Sequence, residues 1–339
     1  MNQDAPATGD GLTVGGAGST GEGASLDPDT AAKARAVRET LADSEGVLVA
    51  FSGGVDSSVV AALAHDALGD DAVACTARSE TLPAAELDDA RRVAEEIGIR
   101  HDTVTFSELD DPDFVANDGD RCYHCRTMRL GRMYDRAHEL GIGTVCDGTN
   151  ADDPGEGHRP GLRAVEELNV VSPLLDAGIT KSEVRRIAEA YGLSVADKPS
   201  MACLSSRIPT GLEVTEARLS RVEKAERLLR EWGFEGFRVR DHDGLARVEI
   251  APDELPRALD PAFADAVHEH LTDLGFEYVT LDMAGYRTGS VSPGGETANE
   301  ESGDGVATNE NPDGRSETNE KSADVEPNDG LDLGRQYPR

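Results

Sequence analysis

Apolar positions in this chain fall into short runs that alternate with longer stretches of helical period. Val47-Leu48-Val49-Ala50-Phe51 is one such run, too short for a helix and so read as a buried strand. A helix over residues 31–41 precedes it, and Val59-Val60-Ala61-Ala62-Leu63 opens a helix after it. Residues 72–76 form a second strand, followed by a helix over 84–97 that puts Leu87, Ala90, Val93, Ala94 and Ile97 on one face. Residues 101–105 read as a third strand, 124–140 as a helix, 143–146 as a fourth strand and 170–173 as a short one. A helix over 180–191 starts on Thr180 as N-cap and stops at Gly192. Such alternation predicts an α/β fold, a parallel doubly wound sheet whose ligands sit beyond the carboxyl ends of the strands. Ser52, residues 76–79 and residues 147–150 should therefore face one crevice.

After Leu212 the pattern changes. Residues 214–232 make a long amphipathic helix with Leu219, Val222, Ala225, Leu228 and Leu229 along one side. Residues 237–240 and 246–250 alternate as two strands joined by the turn Asp241-His242-Asp243-Gly244. A helix near 261–274 and a last strand over 276–281 complete a smaller C-terminal α+β domain. The expected organisation is a main domain over 30–212, the smaller one over 213–287, and disordered tails over 1–29 and 288–339. The tails are Gly/Ala/Asp-rich and Glu/Asp/Asn-rich respectively and cannot bury a core.

The first strand runs into Ser52-Gly53-Gly54-Val55-Asp56-Ser57-Ser58. Two glycines let backbone approach a ligand, and the hydroxyls with the amides of a helix start supply donors to phosphate oxygens. An ordinary strand-to-helix turn is the bland alternative. No Gly-Lys-Ser/Thr follows, so this is not a Walker loop. The string resembles the PP-loop of ATP pyrophosphatases, which split ATP between its α- and β-phosphates and adenylate a substrate.

Charge and cysteine content narrow the setting. The 339 residues carry a net charge of −33, and only 4% are aromatic. Such acidity disfavours loose binding to nucleic acid or to anionic membranes. With lysine confined to positions 33, 181, 198, 224 and 321, it looks like adaptation to a salty cytoplasm, a halophilic habitat where screening tolerates self-repulsion. No apolar run approaches the ~18 residues that cross a bilayer, and no secretory signal opens the chain. Cys75, Cys122, Cys125, Cys146 and Cys203 are an odd number, which argues against a disulfide framework and for a reducing, cytoplasmic location.

Residues 198–211 (KPSMACLSSRIPTG) show neither helix nor strand period. Cys203 there has Arg207 and Lys198 near in sequence, and a cation stabilises the nucleophilic thiolate. A small buried hydrophobe is an equal reading of that cysteine. The pair Cys122-x-x-Cys125 can be redox-active, metal-binding or structural. Cys75 and Cys146, inside expected strands, read as core. Arg238 and Arg240 lie two apart, on one strand face. A solvated strand face paired with local carboxylates is the alternative there, and a surface role for Glu226.

From residue 42 to residue 281 the chain resembles the LarE family of ATP-dependent sacrificial sulfur transferases, which serve nickel-pincer nucleotide cofactor biosynthesis. The resemblance is carried by SGGVDSS, Arg121-Cys122-Tyr123-His124-Cys125, Asp147-Gly148-Thr149-Asn150-Ala151-Asp152-Asp153 and Arg159-Pro160-Gly161. It continues through Ser172-Pro173-Leu174, Lys181-Ser182-Glu183-Val184-Arg185, KPSMACLSSRIPTG, Ala225-Glu226 and Arg238-Val239-Arg240. It implies a PP-loop ATPase fold of the adenine nucleotide alpha hydrolase-like kind. ATP and Mg²⁺ would be held by Ala50, Phe51, Ser52, Gly53, Gly54, Val55, Asp56, Ser57, Ser58, Thr76, Asp147, Gly148, Thr149 and Asn150, with Asp56 the ion contact. A carboxylate of pyridinium-3,5-biscarboxylic acid mononucleotide would be adenylated. Cys203 would attack it and surrender its sulfur, leaving dehydroalanine. Arg207, Arg238 and Arg240 would receive the phosphate of this small-molecule nucleotide substrate, with Glu226 as their partner. The resemblance also implies a homo-oligomer. Some members hold an iron–sulfur cluster on cysteines near the donor; Met201 stands where that local pattern would need one, so the single-cysteine route is expected, with Cys122, Cys125 and Cys203 as the alternative ligand set.

Other acceptors would suit the same loop. A tRNA thiolase needs a broad basic surface, and an amidotransferase-type synthetase needs an ammonia source; neither fits this composition. A nucleotide sensor without turnover would leave the Cys203 loop and the arginines unexplained.

Overall fold

Asp27 caps the first helix through its side chain on the Thr30 amide, and Pro28 sits where a missing N–H costs nothing. The structure, a computed structural model, describes residues 26–155, 160–199 and 202–286. Most of both expected tails, with Arg159, Ser200 and Met201, lies outside the described residues. Helix α1 (Pro28–Ala42) leads into strand β1 (Val47–Ala50), helix α2 (Val55–Leu68), strand β2 (Ala72–Arg78), helix α3 (Ala84–Ile97) and strand β3 (Arg100–Thr105). Then come α4 (Pro112–Ala116), α5 (Arg121–Glu139), β4 (Thr144–Cys146), α6 (Pro160–Glu167), α7 (Pro173–Asp176) and α8 (Lys181–Ala190).

The first four strands form one wholly parallel sheet in the order β3-β2-β1-β4. Val47 and Val49 point to one face, into a core with Val37 and Leu41 of α1, Val60 and Leu63 of α2, and Ile187 of α8. Leu48 points to the other, onto Cys75, Leu130, Met133 and Val145. Strand side chains alternate, so a centre strand covered on both faces must be apolar at every position. That is why β1 reads as an unbroken apolar run. Each such side chain contributes roughly 1.5–3 kcal/mol on leaving water.

Residues 170–173 depart from the expected strand. Val171 makes a single parallel bridge to Cys146, and Pro173, which has no N–H to give a ladder, starts helix α7 instead. Cys75 and Cys146 are buried, as expected, and burial pushes both thiols up to about 12.

Helix α9 (Glu216–Glu231), the hairpin of β5 (Phe237–His242) and β6 (Leu245–Ile250), helices α10 (Leu255–Ala258) and α11 (Pro261–Asp273), and β7 (Tyr278–Leu281) make a second sheet, ordered β5-β6-β7. The hairpin turns on Asp243 and Gly244, both at positive φ, as a two-residue loop between right-twisted strands requires. Phe234, Val239, Ile250, Phe263, Leu271 and Phe276 fill its core. A further cluster, Phe114, Leu204, Ile208, Val214, Leu219 and Val222, joins the loop before α9 to α4 and α9. Asn117, left-handed and fully buried, rivets that loop: its Nδ2 donates to the carbonyls of Pro209 (2.8 Å) and Leu212 (2.7 Å).

Helix α8 begins with a reciprocal capping box between Thr180 and Glu183. Thr180→Ala should lower unfolding free energy by about 1 kcal/mol in urea titration, at unchanged m-value.

Candidate active site

The turn after β1 has the geometry of an anion cradle. Gly53 has φ +69°, and a Cβ there would lie 2.7 Å from the Ala90 Cα, so both conformation and space demand glycine. The Ser57 hydroxyl accepts from the Ser52 amide (3.2 Å) and donates to the Gly54 carbonyl (3.1 Å), holding the turn closed on the first turn of α2. Gly148 packs so tightly that an added Cβ would sit 2.8 Å from the Ser57 amide nitrogen. Behind it Asp147 accepts from the Ser172 hydroxyl (2.7 Å), the Thr149 hydroxyl (2.7 Å) and the Thr149 amide (3.1 Å), and pairs with Arg126. The strand ends of β1, β2 and β4 thus meet in one place.

Ala50, Phe51, Ser52, Asp56, Ser57, Thr76, Asp147, Gly148 and Thr149 line a cavity of about 490 Å³. Gly54 and Val55 line a smaller one of about 180 Å³ beside it. Gly53, Ser58 and Asn150 line neither, and Ser58 is fully buried in α2. The Thr76 hydroxyl is already given to the Phe51 carbonyl (2.9 Å) and touches His101 Nε2 (2.8 Å). The Asp56 carboxylate, expected to face an ion, is held by Lys181 Nζ (2.5 Å) and Asn150 Nδ2 (3.1 Å). An ion bound there would share the carboxylate with that lysine or take its place.

Cys203 lines both cavities, half-buried. It caps a short 3-10 turn, Leu204–Arg207, with its Sγ 3.1 Å from the Ser205 hydroxyl. The two cations expected to attend its thiol are engaged elsewhere. Lys198 Nζ pairs with Glu86 (2.9 Å) and Asp89 (2.8 Å). Arg207, 1% exposed, forks onto both Glu226 oxygens (2.8 and 3.0 Å) and donates to the carbonyls of Ala202 (2.5 Å) and Cys203 (3.0 Å). Glu226 is therefore the buried partner of Arg207 rather than a surface group.

Arg207, Arg238 and Arg240 do converge, but on the chain itself. The first two donate to Ser206 Oγ (3.1 and 3.4 Å), and Arg240 donates to the Ser206 carbonyl (3.0 Å) and to Glu249 (2.6 Å). Tyr286 lies over Arg238 and accepts from it (3.2 Å). All three are buried, and none lines either cavity. The three arginines expected to receive a phosphate thus form a buried cluster around Ser206, with Glu226 and Glu249 paired to Arg207 and Arg240.

Cys122 and Cys125 line the larger cavity with Cys203. Sequence reading misses what surrounds them. Arg129 lines both cavities, donating to Cys125 Sγ (3.4 Å) with Glu108 at 3.8 Å. Lys181, Arg126 and Glu108 were missed as well. Cys125, Arg126 and Arg129 share a face of α5, a periodic signal, but nothing local says that face meets the cavity.

A glycine turn from a centre strand into a helix, an Asp-Gly-Thr-Asn segment at the neighbouring strand end and a cavity between them define the PP-loop class of ATP-using α/β enzymes. The asparagine synthase family model matches residues 32–123, which contain that turn. A pyridinium-3,5-bisthiocarboxylic acid mononucleotide synthase of Lactiplantibacillus plantarum is 38% identical over 253 residues, 74% of this chain and 91% of the relative. An uncharacterized protein of Synechocystis sp. is 40% identical over 256 residues, 76% of this chain and 95% of its own length. A tRNA-specific 2-thiouridylase of Geobacter metallireducens is 33% identical over 194 residues, but covers 45% of this chain and 52% of the relative. The chain belongs to the LarE family, that of the pyridinium-3,5-bisthiocarboxylic acid mononucleotide synthases.

Two substitutions probe this geometry. Gly148→Ala forces the start of α2 to shift at a cost of about 1–3 kcal/mol, so calorimetry should show MgATP binding weakened roughly tenfold with the fold retained. Glu226→Ala leaves Arg207 buried without its counter-charge and should cost about 3–5 kcal/mol in denaturant unfolding.

Proposed function

We propose that this protein is an ATP-dependent sulfur transferase. It adenylates a carboxylate of pyridinium-3,5-biscarboxylic acid mononucleotide and donates the sulfur of Cys203, making a thiocarboxylate for the nickel-pincer nucleotide. The observation that carries this reading is that Cys203 and the glycine turn line the same cavity. The likeness to the pyridinium-3,5-bisthiocarboxylic acid mononucleotide synthase of Lactiplantibacillus plantarum supports it.

ATP enters with its Mg²⁺. The amides that open α2 and the Ser52 and Ser57 hydroxyls face its phosphates, and the helix start favours their charge. Asp56, paired here with Lys181, would hold the ion, which would offset phosphate charge, and the Lys181 ammonium beside it would face the departing pyrophosphate. A substrate carboxylate oxygen attacks the α-phosphorus, and the bond to the β-phosphate oxygen breaks. The Cys203 sulfur attacks the acyl carbon of the mixed anhydride, and AMP leaves with the electron pair. Loss of the Cys203 Cα proton and cleavage of its Cβ–S bond then release the thiocarboxylate and leave dehydroalanine. One turnover consumes one Cys203.

Cys122, Cys125 and Cys203 line one cavity and are the residues that would hold an iron–sulfur cluster, whose iron would make thiolates of them. No step is routed through such a group. Assembly into a homo-oligomer through residues 213–287 belongs to the same proposal, supported by the exposed Trp232, Leu259, Tyr278 and Met283.

Intact-mass analysis after incubation with ATP, Mg²⁺ and the substrate in strong salt tests the reading. The protein should lose the elements of hydrogen sulfide at Cys203 in step with product. Cys203→Ala should still release pyrophosphate but deliver no sulfur; full thiolation by that variant would overturn the proposal.

A further inference from the structure

The two cavities at the glycine turn share five wall residues: Ser52, Asp56, Leu82, Arg129 and Cys203. Ser52 and Asp56 belong to the turn that faces ATP, and Cys203 is the proposed sulfur donor. Arg129 is the one cation in that shared stretch. The other basic groups on the two walls are already engaged. Arg121 donates to Asn117 Oδ1 (2.5 Å) and to the Ser205 carbonyl (2.9 Å), and Arg126 pairs with Asp147. Lys181 pairs with Asp56, and Lys198 with Glu86 and Asp89.

Arg129 stands differently. Its Nη2 donates to Cys125 Sγ at 3.4 Å, and the Glu108 carboxylate lies 3.8 Å away, beyond a hydrogen bond. Nε is buried with no hydrogen-bond partner, and Nη1 makes no hydrogen bond among the described residues. Glu108 is itself 0% exposed and accepts from the Thr81 hydroxyl at 2.9 Å, so it is a fixed post behind the guanidinium. The Arg129 side chain remains 35% exposed, at the walls of the two cavities. A cation aimed by one fixed carboxylate, with most of its donors unspent, is preorganised for an anion that forms beside it. The nucleophile that makes such an anion lines the same stretch of wall.

We propose that Arg129 is a catalytic residue: its guanidinium receives the carbonyl oxygen of the acyl-adenylate and holds the oxyanion that forms when Cys203 attacks. The proposal rests on the reading of Cys203 as sulfur donor. The Cys203 thiol gives its proton to water. Its sulfur then bonds to the acyl carbon, and the carbonyl π pair moves onto the oxygen, where the Arg129 N–H groups donate to it. As that pair returns, the bond between the acyl carbon and the AMP oxygen breaks, and AMP leaves with its electrons. The mixed-anhydride carbonyl is neutral before attack and negative during it. The bond to Arg129 therefore strengthens in the transfer step, which is what accelerates it.

Single-turnover reactions of the full chain with MgATP and carbon-labelled pyridinium substrate, in strong salt, separate that step from adenylation. Pyrophosphate release, adenylate trapped as hydroxamate with hydroxylamine, and label on the Cys203 peptide are followed together. Arg129→Gln should slow labelling of that peptide by about a hundredfold more than it slows pyrophosphate release, the share of one oxyanion donor, with adenylate accumulating. Arg129→Lys keeps the charge without the fork and should fall between Arg129→Gln and the wild type. It also stays readable if the first variant disturbs packing. Label reaching Cys203 in Arg129→Gln at the wild-type rate would overturn the proposal. So would pyrophosphate release slowed in the same proportion as labelling in both variants, which would assign Arg129 to the phosphates. Failure of the Cys203 reading shows separately, as thiocarboxylate formed by the wild type with no label on that peptide, and this proposal would fall with it.

Discussion

A fully buried guanidinium holds the site in register. Arg207 gives two donors to Glu226 on α9 and two to the carbonyls of Ala202 and Cys203. Glu226 Oε1 also accepts the amide of Val239 on β5 (3.2 Å). One ion pair thus fixes the cysteine loop, the long helix and the second sheet to each other. An unpaired charge at that depth would be prohibitive, so its satisfaction by a bidentate carboxylate and two carbonyls leaves few alternative loop conformations. Leu204 and Ile208 drive the same loop into the core from either side of Arg207. Cys203 is accordingly presented at the cavity wall by a braced turn, not carried on a free connector.

The charge distribution follows from this. The chain as a whole is strongly acidic, yet arginines gather around Ser206 and along the cavity face of α5. Of those at Ser206, Arg207 is matched by Glu226 and Arg240 by Glu249, while Arg238 is held by Ser206 Oγ and the Tyr286 hydroxyl. Arg126 and Arg129 reach the cavity itself. Under the proposed function, a substrate phosphate reaching Ser206 would compete with Glu226, Glu249 and the Tyr286 hydroxyl. At the glycine turn Lys181 and Asn150 likewise occupy the Asp56 carboxylate.

Where the local pattern carried the information, the fold was legible in the sequence. Helix α3 has the expected bounds because its apolar face, Leu87, Ala90 and Val93, repeats at helical spacing. The hairpin was legible from Asp241-His242-Asp243-Gly244, but only Asp243 and Gly244 turn, at positive φ, while Asp241 and His242 continue β5 because they pair with Ala246 and Leu245. Residues 170–173 misled because Val170-Val171 looks extended, whereas Pro173 decides the outcome by refusing the ladder. Site contacts between residues far apart in the chain, such as Lys181 with Asp56 and Arg129 with Cys203's cavity, leave no periodic trace. For the same reason the arginine cluster was found as a cluster, but its occupancy by Glu226 and Glu249 was visible only in three dimensions.

The central claim is that a sulfur on this braced turn bonds covalently to the activated substrate inside the cavity that the glycine turn shares. Acid-quenched single-turnover reactions with carbon-labelled pyridinium substrate and MgATP measure this directly. Label should appear transiently on the peptide containing Cys203, with kinetics between pyrophosphate release and product formation. Thiocarboxylate formed with no label ever on that peptide would contradict it.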